Sequence, residues 1–155
     1  MSKGIILNNR ILDIVILCVV VAQAIKIISP IFKGKKLDFS KIFETGGMPS
    51  SHSASVGSLC TALALVYGTR NPLFTISFVL AIVVMYDATG IRREAGKHAK
   101  ALNKIMISDK DLFESEEFKS FKEFLGHTPF EVAMGCLLGI VLTILFRGYL
   151  VWKKD

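Results

Sequence analysis

The chain has 155 residues, 52% of them hydrophobic, and its mean hydropathy of +0.51 is above what a soluble domain of this length needs for its core. This composition predicts one integral membrane domain covering residues 1–155. Lys and Arg (19) outnumber Asp and Glu (13), an excess that suits anionic headgroups or phosphates; nucleic acid is a weaker alternative, because no recognised binding motif accompanies the charge.

The first apolar run extends from Ile11 to Ile28. It could be the core of a signal peptide, but it is long for one and is followed by Ser29-Pro30 instead of a small-residue cleavage site. We therefore predict a first membrane helix. Its Asp13 must face other helices or water, and Lys26 is expected to extend to the membrane interface.

Three further apolar runs are predicted as membrane helices, at Ser53–Tyr67, Leu73–Met85 and Val132–Phe146. The first two of these runs are shorter than the ~20 residues of a spanning helix, so each should extend through its polar end, which for the third helix means Tyr86, Asp87 and Ala88. The predicted fold is an all-α membrane bundle of about four transmembrane helices with one or two in-plane amphipathic helices.

Two in-plane helices are predicted, at 91–106 and within the connector 108–124. The first has a basic stripe opposite an apolar stripe, with helical spacing. Lys100 and Lys104 favour a solvated basic face at an anionic membrane. Arg92, Arg93 and Lys97 lie nearer the third helix and could reach a bound phosphate.

The stretch Gly46 to Ala54, GGMPSSHSA, indicates a helix N-terminus that could hold an anion. Its glycines permit unusual backbone conformations, Pro49 suits a first helical position, and Ser50 or Ser51 can cap free N–H groups, which favour phosphate. The alternative is an ordinary capped helix start in which His52 is incidental.

A second turn, GHTPFEV, precedes the last apolar run. Glu131 follows His127 by four residues, a spacing that would let its carboxylate accept the Nδ1 proton of His127 on one helical face. The alternative is a helix cap with an acid in its first turn. With four spans, the polar groups on one membrane face can converge: His52, Asp87, Arg92, Arg93, His127 and Glu131.

Three blocks together resemble a known family: GGMPSSHSA, YDATGIRREAGKHAKALN and LGHTPFEV. PSSH, at Pro49 to His52, resembles the Pro-Ser-Gly-His motif of the type 2 phosphatidic acid phosphatases, the superfamily that includes bacterial acid phosphatases and vanadium haloperoxidases. HTPFEVAMG resembles the end of that superfamily's third motif. The combination is similar to its divergent, small bacterial and plant branch.

The chain departs from the superfamily's pattern at several positions. Ser51 replaces the motif's Gly, and Glu131 replaces its Asp. Phe121 stands where an Arg is expected six residues before the nucleophilic His. The first motif is met only by Lys41 followed by Met48-Pro49, without its Arg. Two phosphate-binding arginines are thus absent from their usual places, and Arg92 and Arg93 are the natural substitutes.

The resemblance implies a metal-independent, two-step phosphoryl transfer without a cofactor. His127 would be the nucleophile, Glu131 would hold it, and His52 would protonate the leaving oxygen. The implied phosphate ligands are Ser50, Ser51, Arg92, Arg93, Lys97 and Lys41, with Asp87 and Asn103 as supporting residues.

The implied substrate is a lipid phosphate, such as phosphatidate, phosphatidylglycerophosphate or a polyprenyl diphosphate. The other partner is the membrane, and homo-oligomerisation stays open. Two alternatives are a non-catalytic phospholipid-binding or scaffold protein and a small transporter. The four-span arrangement puts twelve Lys and Arg residues on the catalytic side and six on the other. The positive-inside rule therefore predicts a cytoplasmic catalytic face, with both termini outside.

Overall fold

In a computed structural model of the chain, residues 4–31, 47–108, 120–121 and 126–151 are described. Within these ranges the regular structure is entirely helical, which confirms the all-α prediction. The helices are α1 (Arg10–Ile28), α2 (Ser51–Tyr67), α3 (Pro72–Thr89), α4 (Ile91–Ser108), α5 (Pro129–Leu145) and α6 (Arg147–Leu150). The predicted in-plane helix in the 108–124 connector lies almost entirely outside the described residues.

Helix α2 is the centre of the bundle and packs against α1, α3 and α5. Its contact with α5 depends on two glycines four residues apart. A Cβ on Gly135 would lie 2.2 Å from the carbonyl oxygen of Ser50, and one on Gly139 would lie 2.3 Å from that of Ala54. Small residues at this spacing allow the backbones of two membrane helices to touch.

Helix α3 buries small side chains and exposes large apolar ones. Its buried residues are the small Ser77, Ala81 and Ala88. Large aliphatic side chains face outward instead, with Ile76 64% and Val83 58% exposed. Such an outer face suits lipid better than water, because water penalises exposed apolar area.

Among the described residues, two segments are long and apolar enough to cross a membrane, judged by length and composition: Arg10–Ile28 and the range Pro72–Met106, which covers α3 and most of α4. Helix α5 is apolar but has 17 residues, and α2 has the same length. Seventeen residues make a helix about 25 Å long, less than the ~30 Å of a hydrocarbon core. The count of about four spans therefore remains a prediction.

Polar contacts join α1 to α6 at one end of the bundle. The carboxylate of Asp13 accepts hydrogen bonds from the backbone N–H groups of Ile5 and Ile6 and from the hydroxyl of Tyr149. Arg10 donates to the Tyr149 carbonyl at 2.7 Å and lies over the Tyr149 ring. Asp13 thus meets other parts of the protein, as its place in an apolar helix requires. The two histidines of the predicted site lie at the opposite end.

Candidate active site

The predicted anion-binding turn forms the N-terminus of α2. Ser50 is the N-cap and accepts a hydrogen bond from the backbone N–H of Ser53 at 3.3 Å. Gly47 has φ +98°, a conformation that favours glycine. Pro49 precedes the cap, so its expected place as first helical residue is wrong; that position belongs to Ser51. The first-turn N–H groups of Ser51 and His52 have no intrahelical acceptor.

His127 is placed by the loop that precedes α5. Its backbone N–H donates to the carbonyl of Ala88, near the end of α3, at 2.9 Å. The neighbouring Gly126 has φ +87°, and a Cβ there would lie 2.5 Å from the backbone nitrogen of Arg93. Close backbone packing against the α3–α4 junction therefore holds His127 in place, and its side chain is only 3% exposed.

The two histidines meet, although 75 residues separate them in the chain. Their ring centroids are 6.1 Å apart, with an interplanar angle of 77°. Both rings line a small cavity of about 20 Å³, together with Val84, Ala88 and Arg92. The structure thus brings His52 and His127 together at an arginine, as the same-face argument predicted.

The side chain of His127 is buried with one nitrogen unsatisfied. Within the described residues, Nε2 has no hydrogen-bond partner. Leaving a buried polar atom unpaired costs about 1–3 kcal/mol, and such atoms are rare enough to need an explanation. A ligand atom at Nε2 would supply one.

The electrostatic environment lowers the pKa of both imidazoles. Burial lowers the pKa of His127, and the nearby Lys26 charge lowers it further, while Glu131 opposes the shift. Burial also lowers the pKa of His52, and the charges of Arg92 and Lys26 add to the effect. A neutral imidazole has a free lone pair, which a nucleophile or general base needs.

Arg92 is the predicted cation that lies at the cavity. Its Nε forms an ion pair with Asp87 at 2.5 Å, which gives Asp87 an orienting role at the edge of the site. Arg93 is exposed, and its backbone supports Gly126. Lys97 pairs with Glu94 on the same helix at 2.6 Å, so its charge is already partnered away from the histidines.

Asn103 has a structural contact with a segment beyond α4. Its side-chain amide donates to the carbonyl of Phe121 and accepts from the N–H of Phe121, each at 2.9 Å. This pair of bonds holds Phe121, the residue at the position of the family's arginine, against α4. Lys41 lies outside the described residues.

Glu131 has a partner different from the one its spacing suggested. Thr128 is the N-cap of α5, and it forms a capping box with Glu131: the backbone N–H of Thr128 donates to the Glu131 carboxylate at 2.8 Å. The helix begins at Pro129, so His127 precedes it and four-residue helical spacing does not apply. The expected His127–Glu131 hydrogen bond is not among the described contacts. Glu131 acts on His127 through its charge instead.

Lys26 is a site residue that the sequence interpretation missed. It lies in the last turn of α1, is 3% exposed, and has its Nζ 3.5 Å from the Ser51 hydroxyl. The sequence predicted a side chain extended to the interface. The sequence did contain a signal that could have placed Lys26 near the site: Lys26 lies at the end of α1 that is on the same membrane face as GGMPSSHSA.

In the described part of the chain, no group of three or more His, Cys, Asp or Glu side chains is arranged to hold a metal ion. Cys18 is buried and Cys60 and Cys136 are half-buried, and all three are free thiols.

Comparison with known proteins gives one family and one curated relative. A family described as "Divergent PAP2 family" matches residues 7–142. The chain is 43% identical over 141 residues to a Bacillus subtilis (strain 168) protein named "Uncharacterized membrane protein YuiD", covering 84% of this chain and 89% of the relative. No solved structure matches.

Proposed function

Because this chain belongs to the divergent PAP2 family, we propose that it is a membrane-bound phosphatase that hydrolyses a lipid phosphomonoester or diphosphate through a phosphohistidine, without a metal ion. One observation carries the proposal: the buried Nε2 of His127, which has no hydrogen-bond partner in the described part of the chain, lies at a cavity shared with His52 and Arg92. A nucleophile, an acid and a cation are the groups that metal-free phosphoryl transfer needs.

In the first step, Nε2 of His127 attacks the terminal phosphorus, and the bond from this phosphorus to the oxygen of the leaving group breaks. Protonated His52 gives its proton to that oxygen, so a monoester releases a neutral alcohol and a diphosphate releases the lipid monophosphate. In the second step, neutral His52 takes a proton from water while the water oxygen attacks phosphorus. The P–N bond breaks, phosphate leaves, and both histidines return to their starting states.

The surrounding groups supply charge where the transition state needs it. The transferred group spreads negative charge over its equatorial oxygens, so fixed donors lower the barrier. Arg92, oriented by Asp87, and the first-turn N–H groups of Ser51 and His52 are suitable donors. Ser50 shapes this turn as its cap. Arg93 and Lys97 would contribute only from a distance.

Glu131 would act as a fixed negative charge beside His127. Its carboxylate is held by the Thr128 cap, and it opposes the lowering of the His127 pKa. A positive charge develops on the imidazole as the P–N bond forms, and a nearby carboxylate stabilises that charge. This role needs proximity without a hydrogen bond.

A lipid substrate fits the position of the site. The cavity is bounded by Val84 and Ala88 of α3, and the same helix exposes large aliphatic side chains on its outer face. A phosphate at the cavity could therefore have its acyl or prenyl chain beside α3 in the hydrocarbon region. The membrane-protein relative supports the same setting.

The test is phosphate release by the purified chain from phosphatidate, phosphatidylglycerophosphate and a polyprenyl diphosphate, each with a strong chelator present. We expect release from at least one lipid and its loss in His127→Gln. His98→Gln is the matched control, because His98 is an exposed histidine on α4. Absence of release from every lipid by the unmodified chain, or equal rates for both variants, would contradict the proposal.

A non-catalytic phospholipid-binding protein is the second candidate. It is favoured by Phe121 at the position of a family arginine and by the Glu131 carboxylate's engagement with the Thr128 cap. This candidate predicts binding to phosphatidate vesicles that needs Arg92, with no phosphate released.

A further inference from the structure

Helix α4 has three different faces along its length. Gly96, Ala99 and Asn103 are buried and follow the i, i+3, i+7 spacing of one helical face. This face contacts the rest of the protein, since the Asn103 amide is bonded to the backbone of Phe121. The two other faces of α4 are exposed, and the catalytic mechanism uses neither of them.

The first exposed face is apolar. Its large side chains are Ile91, which is 68% exposed, Leu102 at 47% and Ile105 at 55%. With 3.6 residues per turn, these three side chains point within roughly 60° of one another and about 120° away from the buried face. An apolar stripe that runs through four turns of an exposed helix suits hydrocarbon better than water.

The second exposed face is basic. Arg93, Lys97, Lys100 and Lys104 are exposed, and they point roughly 145° away from the apolar face. Glu94 is the single acid in the sequence of α4, and it pairs with Lys97. Within the described ranges, Lys100 and Lys104 have no ion-pair partner. This face therefore has a net positive charge, which is complementary to anionic headgroups.

The position of α4 in the chain puts these faces beside a membrane. The helix follows α3, whose outer face consists of large aliphatic side chains such as Ile76 and Val83. The two helices meet at Gly90, whose φ of −100° and ψ of −92° depart from helical values, so the chain changes direction there. A helix with an apolar face nearly opposite a basic face is of the kind that lies in the plane of a membrane interface.

We propose that α4 lies in the membrane interface and binds the phosphate groups of anionic phospholipids through Lys100 and Lys104. This lipid-binding surface is separate from the catalytic cavity, but α4 begins at that cavity, because Arg92 in its first turn lines it. The effect on turnover rests on the proposed function: acidic lipid held along α4 raises the local concentration of an anionic substrate. The surface then lowers KM and leaves kcat unchanged.

A first experiment tests whether α4 lies in the interface. A cysteine-free variant carries one spin label, at Leu102→Cys on the apolar face or at Lys97→Cys on the basic face, in bilayers of phosphatidylglycerol and phosphatidylcholine. Collisions with oxygen, which concentrates in hydrocarbon, should dominate at 102, and collisions with a water-soluble nickel chelate should dominate at 97. Nickel collisions dominating at both positions, or protection of 102 from both reagents by covering protein, would overturn the proposal.

A second experiment measures lipid preference with the native cysteines kept. Ile105→Trp, in a chain with Trp152→Phe, reports the lipid beside α4 through quenching by brominated phosphatidylglycerol or brominated phosphatidylcholine. The test variant removes Lys100 and Lys104 as Lys100→Gln with Lys104→Gln. The matched control, Arg70→Gln with Arg147→Gln, also removes two exposed charges, but these follow the C-terminal ends of α2 and α5, away from the histidines.

We expect phosphatidylglycerol to be favoured beside α4 by about 5- to 25-fold, since each lysine near an anionic surface contributes about 5-fold. The test variant should lose most of this preference, and the control should keep it. Equal quenching by the two lipids in the chain that keeps both lysines, or equal losses in the test variant and the control, would overturn the proposal.

The outcomes for turnover separate this inference from the proposed function. In bilayers that contain the hydrolysed lipid phosphate, the test variant should raise KM and leave kcat unchanged. A fall in kcat with unchanged KM would overturn the lipid-holding role of Lys100 and Lys104. If α4 prefers phosphatidylglycerol but the chain hydrolyses no lipid, the proposed function fails and the anionic-lipid surface stands.

Discussion

The substitution Gly135→Ala tests whether the contact between α2 and α5 builds the site. The added Cβ would lie 2.2 Å from the Ser50 carbonyl oxygen and 3.0 Å from the Ser50 backbone nitrogen. Carbon and oxygen atoms come no closer than about 3.3 Å in weak contacts, so the helices must separate by roughly 1 Å. The cap at Ser50 and the N-terminus of α2 must move with them.

The expected cost follows from two opposing terms. Overpacking of this kind costs about 1–3 kcal/mol, and a backbone neighbour that cannot rotate away favours the upper part of that range. Replacing a helical glycine by alanine returns about 0.5–1 kcal/mol. The net loss should be about 2 kcal/mol, which corresponds to a fall in Tm of roughly 4–8 °C for a chain of this length.

The assay is thermal unfolding of the purified protein in detergent, followed by circular dichroism, with two control variants. Gly148→Ala has no neighbouring atom within 4 Å of the new Cβ and should be neutral or slightly stabilising. Gly57→Ala, at 3.1 Å from the Cys136 carbonyl oxygen, should be intermediate. Equal Tm values for Gly135→Ala and the unmodified chain would refute the reasoning about helix contact.

Three further predictions follow from the site and its surroundings. Burial and neighbouring charges hold the pKa values of His127 and His52 below 6.5. Because the reactive form needs neutral His127 with protonated His52, kcat/KM should peak below about pH 6.5. The variant His52→Ala should lose the fall in kcat/KM at alkaline pH, and a pH profile unchanged by this variant would exclude His52 as the acid. Asn103→Leu should lower the free energy of unfolding by about 1–3 kcal/mol, because both backbone groups of Phe121 lose their partners, and an unchanged denaturation midpoint would contradict this. In intact cells, an impermeant thiol reagent should label a cysteine introduced at Ser2 and spare one in 109–119 of a cysteine-free variant; the reverse pattern would place the catalytic face outside.

The helices could be predicted from the sequence because apolar runs and turn residues mark them locally. The structure has α3 at Pro72–Thr89, where the sequence predicted Leu73–Met85 extended through Ala88. It has α4 at Ile91–Ser108, where the sequence predicted an amphipathic helix at 91–106. The meeting of the two histidines was also predictable, since each follows a glycine-containing turn at the start of an apolar run. That argument used only the side of the membrane on which each turn lies.

The contacts within the site depend on which faces of the helices meet, which this sequence interpretation did not resolve. Lys26 was interpreted as an interfacial lysine because the hydropathy of α1 does not reveal that its last turn packs under Gly47. Glu131 was expected to pair with His127 because the sequence did not identify the residue at which α5 begins. Once Thr128 caps α5, the Glu131 carboxylate closes the capping box and His127 lies outside the helix.

The stereochemical course at phosphorus tests the central claim, transfer through His127, most directly. A chiral phosphorothioate analogue of the hydrolysed lipid phosphate would be turned over in isotopically labelled water, and the configuration of the released thiophosphate determined. Each in-line displacement inverts phosphorus, so a phosphohistidine intermediate, which requires two displacements, predicts overall retention. Overall inversion would show direct attack by water and would contradict the role of His127 as nucleophile.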